Sequence, residues 1–378
     1  MLETQKKCME INLSAIKRNY EKVRQEVNVP VMAVVKGNAY GHGMGEVALA
    51  LQKAGAEWFG VEFVEEGIAL RKAGIGGRIL CFTSPISREE CEEFLEYDIT
   101  PTIYSIESAE LLNKVACQRE TNCRVHLKFD TGMGRFGFRL EDLDSALAKL
   151  KNYKNFIYEG AYTHFSDAFA KSGDYTLQQL SRFQKIIERL EEEGIRVSLR
   201  HAASSVAAMD FPETRLDMVR IGGALFGVAM FKNREVKLEK ASRVKARLLE
   251  IRHLARGSYI GYGRTYKTPR DMRIGIIPVG YCEGLKVQRR NYTYSILGLV
   301  RNIYQEIKDF LNPPPVAFID GRPLRVLGRI GMQLTVVDLT GIDAKIGDEV
   351  IVAIDPIYYK GEEKVYLADE DRGRFGEN

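Results

Sequence analysis

Between residues 31 and 221 short apolar runs alternate with helical patterns, and no other feature restricts the fold as much. The runs are Val31–Val35, Trp58–Phe63, Ile79–Phe82, Ile99–Tyr104, Val125–Phe129, Ile157–Tyr162, Val197–Leu199 and Met218–Ile221. Helical segments fall between them, near Glu46–Ala54, Glu65–Ala73, Arg88–Tyr97, Ala109–Ala116, Leu140–Leu150 and Leu177–Glu193. Buried parallel strands are short and almost wholly apolar, and each needs a crossover that returns the chain to the same edge. Eight such units in about 220 residues predict an α/β fold of the (β/α)8 TIM-barrel type rather than an open sheet. A helix over Leu13–Val27 precedes them, with Leu13, Ile16, Tyr20, Val23 and Val27 on one face and Pro30 beyond its end.

After residue 231 the texture changes. Alternating apolar stretches (Val244–Ile251, Arg273–Val279, Val316–Ile319, Arg325–Val337, Glu349–Ile354) are punctuated by Gly, Pro and Asp, which predicts a second, mostly β domain. The expected division is residues 8–231 for the barrel and 232–378 for the β domain, with residues 1–7 packing on the latter. Ile296 to Leu311 reads as a helix, ended by Pro313-Pro314-Pro315. The tail from Asp369 is polar and expected to be loosely held. A net charge of +4 over 378 residues, with no run of five basic residues, gives nucleic acid or a membrane surface no electrostatic footprint. The opening Met-Leu-Glu-Thr-Gln-Lys-Lys-Cys has no apolar signal region, no 18-residue apolar stretch occurs, and six cysteines are scattered without a Cys-x-x-Cys pair. The expectation is a cytoplasmic protein with reduced thiols.

Barrel active sites form at the carboxyl ends of the strands, and the unusual residues cluster there. Lys36-Gly-Asn-Ala-Tyr40-Gly-His42-Gly follows the first run and Lys128-Phe-Asp130-Thr-Gly-Met-Gly-Arg135-Phe-Gly the fifth. Thr163-His164 follows the sixth, His201-Ala-Ala-Ser204-Ser205 the seventh and Arg220-Ile-Gly222-Gly223 the eighth. A lysine that ends an apolar strand is partly withdrawn from water, which favours a neutral amine able to attack an aldehyde. Taken alone, such a lysine is more often one that snorkels to solvent; the loop around Lys36 reverses those odds. Ser205, Gly222 and Gly223 suit a phosphate, since glycine lets the backbone approach closely. Two ordinary turns are an equal alternative. Arg220 alone reads as readily as an ion-pair partner, and His164 as a hydrogen-bonded core residue.

Gly132-Met-Gly134-Arg-Phe-Gly137 satisfies a dinucleotide fingerprint, with Glu159 following 22 residues after Gly137. It belongs to the fifth of eight units rather than the first of an open sheet, and an arginine occupies the loop, so nicotinamide binding is disfavoured. There is no Gly-x-Ser-x-Gly elbow, no phosphate loop ending in Gly-Lys-Ser/Thr and no His-Glu-x-x-His. The five histidines show no metal-ligand spacing, and no metal is expected.

Val34-Val35-Lys36-Gly-Asn-Ala-Tyr-Gly-His-Gly closely resembles the cofactor-lysine motif of alanine racemases. The likeness continues through His126-Leu-Lys-Phe-Asp-Thr-Gly-Met-Gly-Arg135, Thr163-His164-Phe, Val219-Arg220-Ile-Gly, Gly261-Tyr262-Gly-Arg-Thr-Tyr266 and Pro278-Val-Gly-Tyr281, in order over about residues 8 to 350. The resemblance implies a fold-type III barrel with a C-terminal β domain, a head-to-tail homodimer with shared active sites, and pyridoxal 5'-phosphate as cofactor. It implies Lys36 as the cofactor's anchor and one acid/base, and Tyr262 of the partner subunit as the other. Inversion at carbon needs two such groups on opposite faces. A phenol is a weak base at neutral pH unless positive neighbours favour its anion, a part the resemblance gives to His164 and Arg220. Arg220 would also face the pyridine nitrogen, to which an arginine cannot give a full proton. Arg135 would orient the cofactor's phenolic oxygen and the substrate carboxylate, held by Lys128, which is often carbamylated in the family. Tyr40, Ser205, Gly222, Gly223 and Tyr281 would line the phosphate or the entrance.

Three departures stand out. Where the family usually reads Gly-Arg-x-Cys-Met-Asp this chain has Gly328-Arg329-Ile330-Gly331-Met332-Gln333, so a wider, less acidic pocket and an altered or broadened substrate range are expected. Ser204 replaces a common asparagine. Residues 291–315 look like an insertion, expected to reshape the entrance or dimer interface, and the family's C-terminal phosphate-binding tyrosine has no assigned counterpart. The competing readings are a decarboxylase of the same fold and a non-catalytic cofactor-binding homologue. A decarboxylase is opposed by the missing Gly-Gly-Gly phosphate loop and leaves Tyr262 without a role.

Overall fold

The computed structural model describes residues 5–170, 172–229, 231–232, 236–287 and 295–367; the tail from Asp369 lies outside them. The chain forms two compact units, one of Leu13–Ala241 and one joining the described residues up to Asn12 to those from Ser242 onward. The expected boundaries were residues 8 and 231. Residues 236–241 cluster with the barrel because Glu239 accepts from Arg18 and Lys22 and its backbone N–H donates to Asn19 Oδ1, all three on the first helix.

The first unit is a nearly closed parallel barrel. Its strands are Val31–Val34, Trp58–Val61, Arg78–Cys81, Thr100–Ile103, Cys123–Asp130, Phe156–Tyr162, Leu199–His201 and Val219–Ile221, with the last beside the first. The seventh and eighth meet through a parallel bridge between Ser204 and Arg220. All eight expected runs are strands, shifted by a residue or two at their ends. The first helix spans Leu13–Val27 and buries Ile16, Tyr20, Val23 and Val27, the face predicted from its spacing. One apolar layer, including Leu127, Phe129, Leu147, Phe183 and Leu190, lies where helices meet strands. A second fills the barrel with Met32, Val34, Leu80, Phe82, Tyr162 and Met218. That plug floors the strand ends on which the polar residues stand.

The second unit is mostly β. A six-stranded sheet runs Arg322–Leu324, Ala317–Ile319, Glu349–Val352, Ser242–Arg247, Lys7–Asn12 and Lys364–Leu367, beside a three-stranded sheet of Glu250–Leu254, Met272–Ile277 and Thr335–Asp338. Strand Lys7–Asn12 was not anticipated, since its Lys-Cys-Met-Glu-Ile-Asn pattern puts a carboxylate among apolar residues. Glu10 is buried there, and Arg243 and Lys245 on the neighbouring strand meet it at 2.7 and 2.9 Å; a buried charge persists only when paired. The long stretch expected over Arg325–Val337 is a strand only at its end, because positive-φ Gly328 and the turn up to Leu334 interrupt it. Helix Ile296–Leu311 forms as predicted, its Ser295 hydroxyl accepting the Gly298 N–H at 3.0 Å.

Candidate active site

Lys36 stands just beyond the first barrel strand and Glu62 just beyond the second. The Lys36 amine donates to Glu62 Oε2 at 2.6 Å and lies 5.6 Å from the centre of the Phe82 ring. Gly37, Asn38, Ala39 and Tyr40 then follow with φ of 62°, 54°, 53° and 54°, one left-handed turn. Each non-glycine residue there costs about 1–2 kcal/mol, so the surroundings must hold the turn in place. His42 does so with its ring Nδ1 2.9 Å from Ala39 O while stacking on Phe226 at 4.3 Å. Glu66 ties the two strand ends together, accepting the N–H groups of Gly37 and Glu62 at 2.7 and 2.8 Å. The effect is to turn Tyr40 across to the eighth strand: a Cβ on Gly222 would meet the Tyr40 hydroxyl at 2.3 Å.

That hydroxyl and the Ser205 hydroxyl meet at the backbone of Gly222, next to Gly223. Ser205 Oγ accepts the N–H groups of Gly222 and Ala224 at 3.2 and 3.4 Å. Both the seventh and the eighth strand ends contribute, as barrel phosphate sites commonly require.

Arg220 is almost fully buried on the eighth strand. Its guanidinium donates to Thr163 O and Ala202 O at 2.8 and 2.9 Å, to His164 Nδ1 at 3.1 Å and to His201 Nδ1 at 2.8 Å. Burial pulls it down only to about 10, so it stays a cation. Arginine has no acceptor, so both histidine Nδ1 atoms must accept and their protons sit on Nε2. His201 Nε2 lies 2.8 Å from His126 Nδ1, and His126 Nε2 points at Glu159 Oε2 at 3.4 Å. Donation therefore runs from Arg220 to His201 to His126 through the barrel interior, and Glu159 faces the end of that chain without a hydrogen bond to His126. Burial holds His126 and His201 below the ordinary imidazole range, so the chain is of neutral rings. Glu159 is pushed up by burial, but His126, Arg78 and Arg124 outweigh that and leave it low. His164 is driven to about 3 by burial and by Arg220, Arg135, Lys128 and Lys36. The positive charge at this corner is thus Arg220's.

Lys128 lies inside the barrel mouth, its amine 5.4 Å from the Tyr162 ring centre and 5.3 Å from that of Phe136. Burial, then Arg135 and Arg220, lower it to about 8. The glycines of the decoy fingerprint serve a different purpose. Asp130 accepts the N–H groups of Gly132, Met133 and Gly134 at 2.8 to 3.1 Å, and a Cβ on Gly137 would meet Asp130 N at 2.4 Å. The loop folds around a carboxylate, which leaves its N–H groups unavailable to a pyrophosphate, and Glu159 is committed to His126 and Arg78.

Lys36, Tyr40, Lys128, Arg135, His164, Ser205, Arg220, Gly222 and Gly223 all lie at strand ends or following loops of the barrel unit. Tyr262, Tyr281, Met332 and Gln333 belong to the other unit. Tyr262 opens a tight turn between positive-φ Gly261 and Gly263 and is 75% exposed. Tyr281 and Cys282 donate their N–H groups to the carbonyls of Gly331 and Met332 at 3.1 and 3.0 Å, which brings the Tyr281 and Gly331–Gln333 segments together. A Cβ at Gly331 would meet Leu334 O at 2.8 Å, so the glycine suits the turn it occupies.

Glu62, Glu66 and Glu159 escaped the sequence reading as site members, and His126 and His201 were quoted within motifs without a role. Glu62, the one charge inside the second apolar run, gains its meaning only from Lys36 on the neighbouring strand. No group of three or more His, Cys, Asp and Glu able to hold a metal occurs among the described residues, and no helix there is long and apolar enough to cross a membrane. The donor set does fit pyridoxal phosphate. It offers an accessible amine for an aldehyde, the Tyr40 and Ser205 hydroxyls grouped at the Gly222 backbone for a phosphate, and a fixed guanidinium for a ring nitrogen.

Family models for the alanine racemase N-terminal and C-terminal domains match residues 11–230 and 241–363. Alanine racemase 1 of Caldanaerobacter subterraneus subsp. tengcongensis is 34% identical over 352 residues, covering 91% of this chain and 84% of its own. The alanine racemase of Methanococcus maripaludis is 35% identical over 350 residues, covering 91% and 87%. Among solved structures, alanine racemase of Clostridium difficile 630 superposes with a TM-score of 0.83 at 29% identity, over 97% of both chains.

Proposed function

This chain belongs to the alanine racemase family and is an isomerase, an amino-acid racemase, and on that premise we propose that it interconverts the enantiomers of alanine using pyridoxal 5'-phosphate held on Lys36. The observation that carries the reading is the placing of Lys36, the Ser205–Gly222 corner and Arg220 at the same end of one barrel. When bound, the cofactor supplies an aldehyde for the amino group and an electron-withdrawing ring that acidifies the α-proton.

The protein's own part is binding, aim and proton transfer. Ser205, Gly222, Gly223 and Tyr40 would hold the phosphate, and Arg220 would serve the ring nitrogen as a donor that keeps its own proton. The Lys36 amine handles the α-proton on one face. Tyr262 of the partner subunit handles it on the other, which accords with its exposure on the single chain and requires a homodimer. Neutral His164, its Nε2–H free to donate, orients that phenol, with the Arg220 charge behind it. Arg135 takes the substrate carboxylate, and a carbamate on Lys128 would give Arg135 a negative partner in place of a positive one. Met332, Gln333 and Tyr281 border the substrate. Gly331 and Gln333 leave that border small and uncharged, and we extend the proposal to turnover of larger or polar amino acids beside alanine.

Lys36→Ala should abolish the visible absorbance of bound cofactor, whereas Tyr262→Phe should keep the colour and lose racemisation. Mixing the two inactive variants should restore up to about a quarter of the activity, since one mixed dimer site would then carry both groups. Colour persisting in Lys36→Ala would refute the anchor. No recovery on mixing would refute the shared site.

A further inference from the structure

Helix Ile296–Leu311 buries none of its residues. Ile296, Val300, Ile303, Ile307 and Phe310 follow one another at intervals of four, three, four and three, which draws a straight seam along one side. Leu297, Tyr304 and Leu311 repeat beside it every seven residues. Phe310, Leu297 and Ile296 are 85%, 84% and 81% exposed. The exposed side chains of the stripe amount to roughly 1,000 Å², against about 800 Å² per partner in a stable protein interface. Sixteen residues of helix are marginal in water without packing, so a stripe of this size calls for a cover.

We propose that the cover is the same helix of a second copy of this chain, paired antiparallel about a two-fold axis. The 4-3 spacing is that of a seam between two helices, narrower than the face a helix lays on a globular core. No charge interrupts the stripe, so it has nothing to match against a charged partner. On the outer face Arg301 and Lys308 balance Glu306 and Asp309, leaving no net attraction to an anionic lipid surface. The stripe is complementary to itself: antiparallel pairing sets Val300 opposite Phe310 and Ile303 opposite Ile307, each twice, as an isologous contact requires. Tyr304 then lies nearest its own copy.

The test is the mass of the cofactor-loaded protein by light scattering, for the unchanged chain and for Ile303→Asp combined with Ile307→Asp. Because the shared-site dimer stands without this contact, the pairing joins two such dimers. The mass should fall twofold, to that of one dimer, with circular dichroism and bound-cofactor absorbance retained, since neither side chain supports the core. As a second measure, Tyr304→Cys should give a double-mass band with a short bis-maleimide, over the background set by the unchanged chain, while Asn302→Cys on the outer face should not. An unchanged mass in the aspartate variant, or equal cross-linking at 302 and 304, would overturn the proposal. So would binding of the unchanged chain to phosphatidylglycerol vesicles that the aspartates abolish without altering mass. The pairing holds or fails apart from the shared active site, which the mixing experiment reads.

Discussion

Lys128 shows how a single buried group couples the site to stability. With Lys128 unmodified, below pH 8 the folded chain must keep its ammonium out of water, whereas the unfolded chain solvates it freely. Between about 8 and 10.5 the folded state releases that proton and the unfolded state does not, so stability climbs with pH across that window and is level above it. Lys128→Met is therefore expected to raise the thermal midpoint by several degrees at pH 7, with the gain shrinking toward pH 10.5. A gain that is the same at both pH values, or a loss at pH 7, would contradict the burial cost. At this scale the sequence was readable where chemistry is local. Lys36, Ser205 and Arg220 stand out by residue type at a strand end. Glu62 and Glu159 did not, because a lone glutamate carries no signal until another strand brings its partner. Glu159 even completed a false fingerprint, though its place is beside His126 and Arg78.

Elements were legible where burial is one-sided and regular. The eight apolar runs and the Leu13–Val27 stripe identify themselves by period. Strand Lys7–Asn12 does not, since Glu10 breaks its pattern and is satisfied only across the sheet by Arg243 and Lys245. The left-handed turn at residues 37–40 was half visible: Gly37 and Asn38 tolerate that backbone, while Ala39 and Tyr40 are forced into it by His42. Gly160, within the sixth barrel strand, had no reading from sequence at all. A Cβ there would stand 2.5 Å from the His126 ring, so the glycine makes the room in which the histidine relay is packed. Gly160→Ala should cost about 1–3 kcal/mol, as overpacking does, and reduce racemisation through a displaced His126–His201 pair while leaving the Ser205 corner intact. An unchanged urea midpoint would show that the interior has slack to spare.

At the scale of the whole molecule, two units divide the chemistry. The barrel holds every group that would anchor and polarise the cofactor, and the β unit carries the exposed tyrosine and the Gly331–Gln333 border. The alternation of runs made the barrel legible, and the change of texture after residue 231 revealed the second unit. How the proposed site would be completed is not written in hydrophobic period, because on the proposed reading it depends on a second copy of the chain. The central claim, racemisation, is tested most directly by product stereochemistry. Purified, cofactor-loaded protein would be incubated with L-alanine, L-serine, L-lysine, L-ornithine and L-glutamate, and the enantiomers resolved by chiral chromatography. The prediction is D-alanine, with D-serine or a larger D-amino acid beside it; alanine alone would refute the broadened border but not the racemase. No D-product from any substrate, with cofactor bound on Lys36, would contradict the account.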